Sequence, residues 1–309
     1  MAIQFVHPRL RQAAAIFLTL GLTVAPLVAP APPTAAAGAE DVRGAIPDTS
    51  RLVAIGGSIT EIFYALGEEV RLVARDSTSV HPPAALELPD VGYMRALSPE
   101  GVLSVNPSGI IALEGSGPRE ALDVLEKAGV PIVSVPENFD RDGILEKIET
   151  VGAVLGVPHK ARELAAAVAA DVDAAERATD GITERKRVLF ILSMQGGKIL
   201  GSGTGTAAAG IIEMAGGINA ITAFDGYRQL SDEAVIAAQP EVILMMDRTA
   251  DHAIGEAELF AHPALATTPA AVLRGLVRMD GSYLLGFGPR TAGAVRDLSK
   301  ALYGGQASN

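Results

Sequence analysis

The segment at residues 88–101, LPDVGYMRALSPEG, places a phenol and a guanidinium two positions apart, at Tyr93 and Arg95, just after Gly92. In extended backbone, residues i and i+2 face the same side. A guanidinium beside a phenol favours the phenolate, both by charge and by hydrogen bonding. Phenolate is a hard anionic ligand suited to ferric iron, and tyrosine is one of the side chains that hold haem iron axially. Residue chemistry alone leaves a second reading open, in which Tyr93 caps a loop and Arg95 is solvated.

Other reactive residue types are scattered or absent. The five histidines, His7, His81, His159, His252 and His262, form no H-x-H, H-E-x-x-H or His-rich tract, which argues against a dedicated zinc site. No G-x-S-x-G elbow marks a serine nucleophile. The chain has no Cys, which excludes disulfides, thiol catalysis, thiolate metal sites and a lipidated N-terminal Cys. The run 201–210 contains Gly203-x-Gly205-x-x-Ala208, with Asp225 further on, in the spacing of a dinucleotide loop. It lacks G-K-[ST], and the apolar step 198–200 separates it from the strand expected to end near Leu192. A dinucleotide loop follows its strand directly, so a glycine turn feeding a helix N-terminus is the simpler reading.

Composition narrows the partners. Acidic residues outnumber basic ones 36 to 25, a formal net charge of −11, so nucleic acid and anionic membrane surfaces are poor partners. Trp is absent and aromatics are 4 %, which argues against a carbohydrate-stacking site. With 49 % hydrophobic and 20 % charged residues, the chain can bury a sizeable core.

The N-terminus reads as an export signal. Arg9 and Arg11 precede an apolar run over 13–28, and Ala35-Ala36-Ala37 fits an A-x-A cleavage site. Residues 1–37 are therefore expected to be a cleaved signal peptide and the mature chain to reside in a Gram-negative periplasm. Residues 38–50 read as a loose leader.

Strand and helix signals then alternate. Strands are expected at 51–55, 70–74, 109–113 and 130–135, and helices at 58–66, 99–105, 118–128 and 140–155. Ser58 with Glu61 three residues on has the pattern of a capping box. Residues 158–179 contain no Gly, and Leu164, Val168, Val172 and Ala175 fall on one helical face. At 1.5 Å per residue this helix spans roughly 33 Å, enough to cross between lobes. The pattern restarts with strands at 187–192, 242–246 and 276–279 and helices at 206–215 and 289–302. The expected division is an N-terminal α/β lobe over 38–157, a connecting helix over 158–181 and a C-terminal α/β lobe over 182–309. Residues 96–111 and 229–244 share a Leu-Ser-x-Glu opening and a Pro before an apolar strand, as two lobes of similar design would.

From Arg51 to about Leu302, the sequence resembles the periplasmic haem-binding proteins of bacterial ABC haem importers. These belong to a wider group that binds haem, cobalamin and ferric siderophores. The resemblance rests on GGSITEIFYALG (56–67), VARDSTSVHPP (73–83), LPDVGYMRALSPEGVLSVNP (88–107), SMQGGKILGSGTGTAAAGIIEMAGGINAI (193–221) and GYRQLSDEAVIAAQPEVIL (226–244). The GYMR–LS–EG stretch is what distinguishes the haem group. The resemblance implies a class III periplasmic binding protein, with two Rossmann-like lobes, one long rigid helix and a ligand cleft between the lobes. It implies a carrier and not an enzyme: a monomer that holds haem b, one per protein, and delivers it to a permease dimer with ATPase subunits. A ferric-siderophore or cobalamin carrier of the same fold is the alternative.

Residue by residue, Tyr93 falls on the family's axial Tyr and Arg95 on the basic residue that hydrogen-bonds it. Arg228 falls on a basic cleft residue of the second lobe, a partner for a haem propionate or the phenolate. His81 falls where cobalamin-binding relatives carry a Tyr near the ligand, which makes it a possible second haem contact. Some relatives have a His where this chain has Met194 and Gln195, and that departure favours a single haem. Met94, Met194, Gln195, Leu284 and Phe287 are expected to offer cleft surface, and the glycine loop after Gly201 to receive propionate charge. Glu61 and Glu213 fall on the acidic residues, one per lobe, that relatives place on exposed faces to meet the permease.

Overall fold

Two runs of branched apolar residues, Leu52–Ile55 and Gly109–Leu113, are buried along their whole length. Such runs form central strands of a sheet covered on both faces. The computed structural model describes residue 42, residues 44–247 and residues 254–304. The expected signal peptide, most of the leader before residue 44 and His252 lie outside the described residues.

The N-terminal half runs β1 (Leu52–Ile55), α1 (Gly57–Leu66), β2 (Leu72–Arg75), α2 (Pro99–Leu103), β3 (Gly109–Leu113), α3 (Arg119–Lys127), β4 (Ile132–Val135) and α4 (Arg141–Val154). Its four strands pair in parallel in the order β2-β1-β3-β4. Next comes α5 (Pro158–Arg177), whose buried stripe of Ala161, Ala165, Val168, Val172 and Ala175 repeats every three or four residues.

The C-terminal half holds β5 (Arg187–Gln195), β6 (Lys198–Ser202), α6 (Ala207–Met214), β7 (Ile218–Asn219), β8 (Tyr227–Gln229), α7 (Asp232–Ala238), β9 (Val242–Met246), α8 (Glu256–Ala261), α9 (Pro263–Ala266), α10 (Pro269–Leu273), β10 (Leu276–Met279), α11 (Gly281–Leu285) and α12 (Thr291–Tyr303). Its sheet has the order β10-β9-β5-β6-β8, with β7 also paired to β5. Strands β10, β9 and β5 are parallel, whereas β6 and β8 are antiparallel to their neighbours. This mixed sheet differs from the expected strand at 187–192. The chain continues to Gln195 and folds back through Gly196 and Gly197, both at positive φ, so 198–200 is a second strand and not an interruption.

Helix α5 packs on α1 and α4 on one side and on α12 on the other. Its Asp173 takes Arg141 of α4 at 2.5 Å, and its Asp171 takes Arg296 of α12 at 3.1 Å. One apolar core runs from the first sheet through α5 into β5 and β9, and a second lies on the other face of the C-terminal sheet. The fold is therefore two α/β lobes on a long helix, as expected.

The start of α1 corrects the capping-box expectation. Ser58 lies inside the helix and makes no cap bond, and Gly56 is the N-cap. The first amides are instead met from a loop 20 residues away: Gly56 N donates to Asp76 Oδ1 at 3.0 Å and Gly57 N to Thr78 Oγ1 at 3.1 Å. Asp76 is fully buried, and its carboxylate also accepts from the Thr78 amide and from the hydroxyls of Thr78 and Ser79. Gly56 has φ +110, and a Cβ there would sit 2.8 Å from Leu113 Cβ, so both torsion and space demand glycine. The motifs GGSITE and RDSTS are thus two halves of one buried polar network. Asp76→Ala should lower the free energy of unfolding by about 3 kcal/mol, because it strands several buried donors at once. Urea titration followed by circular dichroism reads this directly.

Candidate functional site

Loops at the carboxyl ends of the strands of both sheets face each other across a cleft of about 660 Å³. That volume lies within the usual range for a small-molecule site. The N-terminal lobe contributes Thr78, Val80, Tyr93, Met94, Arg95, Leu113, Glu114, Glu137 and Phe139 to the wall. The C-terminal lobe contributes Leu192, Ala207, Tyr227, Met246, Asp280 and Leu285. Most of this surface is apolar, with polar groups at a few points.

The loop carrying Tyr93 is strapped to the end of β2. Val91 N donates to Arg75 O, Arg75 N to Pro89 O and Ser77 N to Gly92 O, all within 3.0 Å. The buried Arg75 guanidinium reaches Asp90 Oδ2, Ala85 O and Asp76 O. Met94 packs into the core, and its backbone carbonyl accepts from Gly117 N at 2.8 Å. Tyr93 is left 48 % exposed, facing the cleft. Residues 93–96 form a turn closed by Ala96 N to Tyr93 O, not the extended strand from which the i, i+2 argument began. Both side chains still reach the same cavity.

Among the described residues, no hydrogen bond joins Arg95 to Tyr93. The Arg95 charge is felt instead at Glu137 and at Tyr227, which face it from the two walls. Burial pushes the Tyr227 phenol up, and the Ala208 amide, the Thr206 hydroxyl and Arg95 work against that shift.

Beneath the cleft lies Lys147, a fully buried lysine on α4. Its Nζ donates to Glu137 Oε1 at 2.5 Å, to Ser58 Oγ at 3.3 Å and to Phe287 O at 3.1 Å. All three donor sites of the ammonium are therefore used. Burial pushes the Glu137 carboxyl up and the Lys147 ammonium down, and each charge partly offsets the other's shift.

Several sequence expectations need correction. Arg228 does not enter the cleft wall. It is exposed, with its guanidinium 5.1 Å from the centre of the Phe224 ring. Tyr227, its neighbour on β8, takes the wall position, because successive strand side chains point to opposite faces. His81 is partly buried beside the wall residue Val80 but does not line the cavity. Met194 packs against the second core and Gln195 is exposed at the β5–β6 turn, so neither lines the cleft, whereas Leu192 does. Of the 283–287 stretch, Leu285 and Gly286 line the cleft, while Leu284 and Phe287 are buried in the core. Tyr283 donates to Asp297 Oδ2, and burial together with that carboxylate pushes its phenol up to about 12.

Of the glycine run 201–210, only Ala207 lines this cleft. Thr204, Gly205 and Thr206 border an adjoining groove of about 400 Å³ with Asp140 and Glu213, and Glu137 and Phe139 line both. A Cβ on Gly203 would meet Phe224 O at 2.0 Å, so that glycine serves close backbone packing. Thr206 caps α6 through the Ala209 amide. Glu213, on α6, is exposed as expected. Glu61 is not: it is 8 % exposed and gripped by Arg290, with Oε2 to Nε at 2.9 Å and Oε1 to the terminal guanidinium nitrogen at 2.5 Å. Glu137 and Lys147 were missed by sequence reasoning because neither stands in a motif. Only the fold brings them to the cleft floor.

The chain matches the periplasmic binding protein family over residues 52–283. Among solved structures it is similar to the periplasmic heme-binding protein RhuT from Roseiflexus sp. RS-1 in apo form, with 39 % identity and TM-score 0.79 over 83 % of this chain and 99 % of that one. It is also similar to the periplasmic heme-binding protein BhuT in complex with two hemes, with 38 % identity and TM-score 0.77 over 82 % of this chain and 97 % of that one. A curated relative is an uncharacterized ABC transporter substrate-binding lipoprotein, YvrC, of Bacillus subtilis, 25 % identical over 83 % of this chain and 81 % of its own length.

Lys147→Met should cost about 3 kcal/mol at neutral pH, because it leaves the Glu137 carboxylate partly buried without its cation. A carboxyl whose folded pKa is raised binds a proton more tightly folded than unfolded, so stability rises as pH falls through that window. The deficit of Lys147→Met relative to the parent should therefore shrink between pH 7 and pH 5, as read by urea melts across that range.

Proposed function

This chain belongs to the periplasmic binding protein family, whose members are substrate-binding transport proteins and not enzymes, and from that premise we propose that it carries haem to an ABC importer. The observation that carries the reading is the wall of the cleft. A half-exposed phenol, Tyr93, stands among apolar side chains with a guanidinium, Arg95, in the same turn. That combination suits a flat macrocycle with a ferric centre: apolar area for its faces and a hard anionic ligand for its iron. The solved relatives named as heme-binding proteins support it.

The remaining roles follow from this reading. Tyr93 ligates the iron as phenolate. Among the described residues Arg95 makes no hydrogen bond, so its guanidinium is available to the phenolate or to a ligand carboxylate. Glu114 and Asp280 also put carboxylates in the wall, while the third, Glu137, is paired with Lys147. Repulsion from Glu114 and Asp280 directs the two propionates out to the mouth. Arg228 and His81, outside the wall, act at most from the rim. With no His at 194 or 195, one haem b per monomer is the expected load.

Delivery is to a permease dimer with its ATPase subunits, in a Gram-negative periplasm reached through a cleaved signal peptide. Docking through one acid per lobe keeps Glu213, which is exposed on α6. Glu61 is committed to Arg290, so it supports docking only from within the lobe junction.

Two measurements test this reading. Hemin added to the mature protein should give a saturable Soret change near one equivalent, and Tyr93→Phe should weaken binding at least about tenfold, or 1.4 kcal/mol, and shift the band. No saturable change, with a cobalamin or ferric-siderophore spectrum perturbed instead, overturns the haem reading in favour of a sister carrier. An unchanged spectrum in Tyr93→Phe overturns the ligand assignment. Glu213→Ala should reduce haem uptake into cells while leaving the hemin titration unaltered.

A further inference from the structure

Five consecutive residues between α11 and α12 fasten the C-terminal lobe to the N-terminal one. Gly286 still lines the cleft. Phe287, a non-glycine residue at φ +46, buries its ring edge-on against the wall residue Phe139 at 5.4 Å and gives its carbonyl to Lys147. Gly288 runs so close to α1 that a Cβ would lie 3.2 Å from Ser58 Cβ and 3.5 Å from Glu61 Oε2. Arg290 then forks onto both oxygens of Glu61, across 229 positions of sequence. Ring packing, a carbonyl acceptor, backbone contact and a bidentate ion pair all act on the same short loop. A left-handed non-glycine residue persists only where its surroundings over-determine it.

The two kinds of link between lobes differ in strength. The ion pairs from α5 to α12 and to α4 are partly exposed, with partners at 47 % and 59 %, and 34 % and 35 %. Pairs of that kind are screened and worth little. At the loop, Arg290 is 29 % exposed but its partner Glu61 only 8 %, and Lys147, which takes the Phe287 carbonyl, is 0 % exposed. A planar guanidinium on a carboxylate fixes angle as well as distance.

We propose that residues 286–290 are a clasp that sets the spacing of the two cleft walls, with Arg290 and Lys147 as its positioning residues. The cleft is then formed to width before ligand arrives, and partner-driven release has to break the clasp. The ligand readout below rests on the haem reading, but the distance readout does not.

The chain has no Cys, so spin labels can be placed at Leu103→Cys on α2 and Ile236→Cys on α7, both exposed and in different lobes. Pulsed dipolar spectroscopy on the ligand-free protein gives the interlobe distance distribution. Arg290→Gln should broaden it and speed hemin dissociation into a scavenger about tenfold, equivalent to about 1.4 kcal/mol. Arg290→Lys keeps the charge without the fork and should fall between the two. The exchange Glu61→Arg with Arg290→Glu should narrow the distribution again. Parental distances and dissociation rates in both Arg290 variants overturn the clasp. Should Arg290→Gln melt below the measuring temperature, Arg290→Lys decides alone, and an unchanged distribution in it is again the overturning result. Wild-type protein that binds no hemin removes the haem reading and leaves the distance result to judge the clasp.

Discussion

A single ammonium group lies where the two lobes and the cleft floor meet. Lys147 has no contact with solvent, yet its three donors satisfy a carboxylate of the cleft wall, a hydroxyl of α1 and a carbonyl of the opposite lobe. A buried charge of this kind is tolerable only when fully paired, because the desolvation it suffers is large. The positions of Glu137, Ser58 and Phe287 are therefore mutually dependent. Glu137 belongs to the cleft, Ser58 to the helix next to Glu61, and Phe287 to the loop that carries Arg290. The cleft wall and the lobe junction thus share one electrostatic constraint.

The cleft follows from the topology. In open α/β sheets, ligands sit outside the carboxyl ends of the strands. Here β1 leads to Gly57 and Ser58, β2 to Thr78, β3 to Leu113 and Glu114, β4 to Glu137, β9 to Met246 and β10 to Asp280, all of which are wall residues. Two such sheets facing each other produce an enclosed site whose apolar share comes from residues completing the strands and whose polar share comes from the loops. The antiparallel extension β6–β8 adds Tyr227 to the second wall, which an all-parallel sheet would not have done.

The strand and helix pattern was largely legible in the sequence. β3, β9 and β10 fall at the expected residues, and α5 exposes and buries the faces its spacing dictates. Tyr93 and Arg95 were legible too, because an i, i+2 pair beside a glycine is a local signal that survives a change from strand to turn. Two of the errors share one physical origin. Ser58 and Glu61 have the local pattern of a capping box, but stronger partners, Asp76 for the helix start and Arg290 for the carboxylate, come from distant sequence. Arg228 came from the family resemblance, which carries over a residue type but not the face of the edge strand that it occupies.

The sequence by itself determined the elements, their order, the acidic and cysteine-free character of the chain and the phenol with its guanidinium. These depend on periodicity, composition and near neighbours, which a linear chain displays directly. Tertiary structure decided which carboxylate is buried, which side of β8 meets the cleft and that a lysine without any motif lies beneath it. Those outcomes turn on competition for partners between residues as far apart as Glu61 and Arg290, or Lys147 and Phe287. Burial, which sets the strength of each such interaction, exists only once the chain has folded.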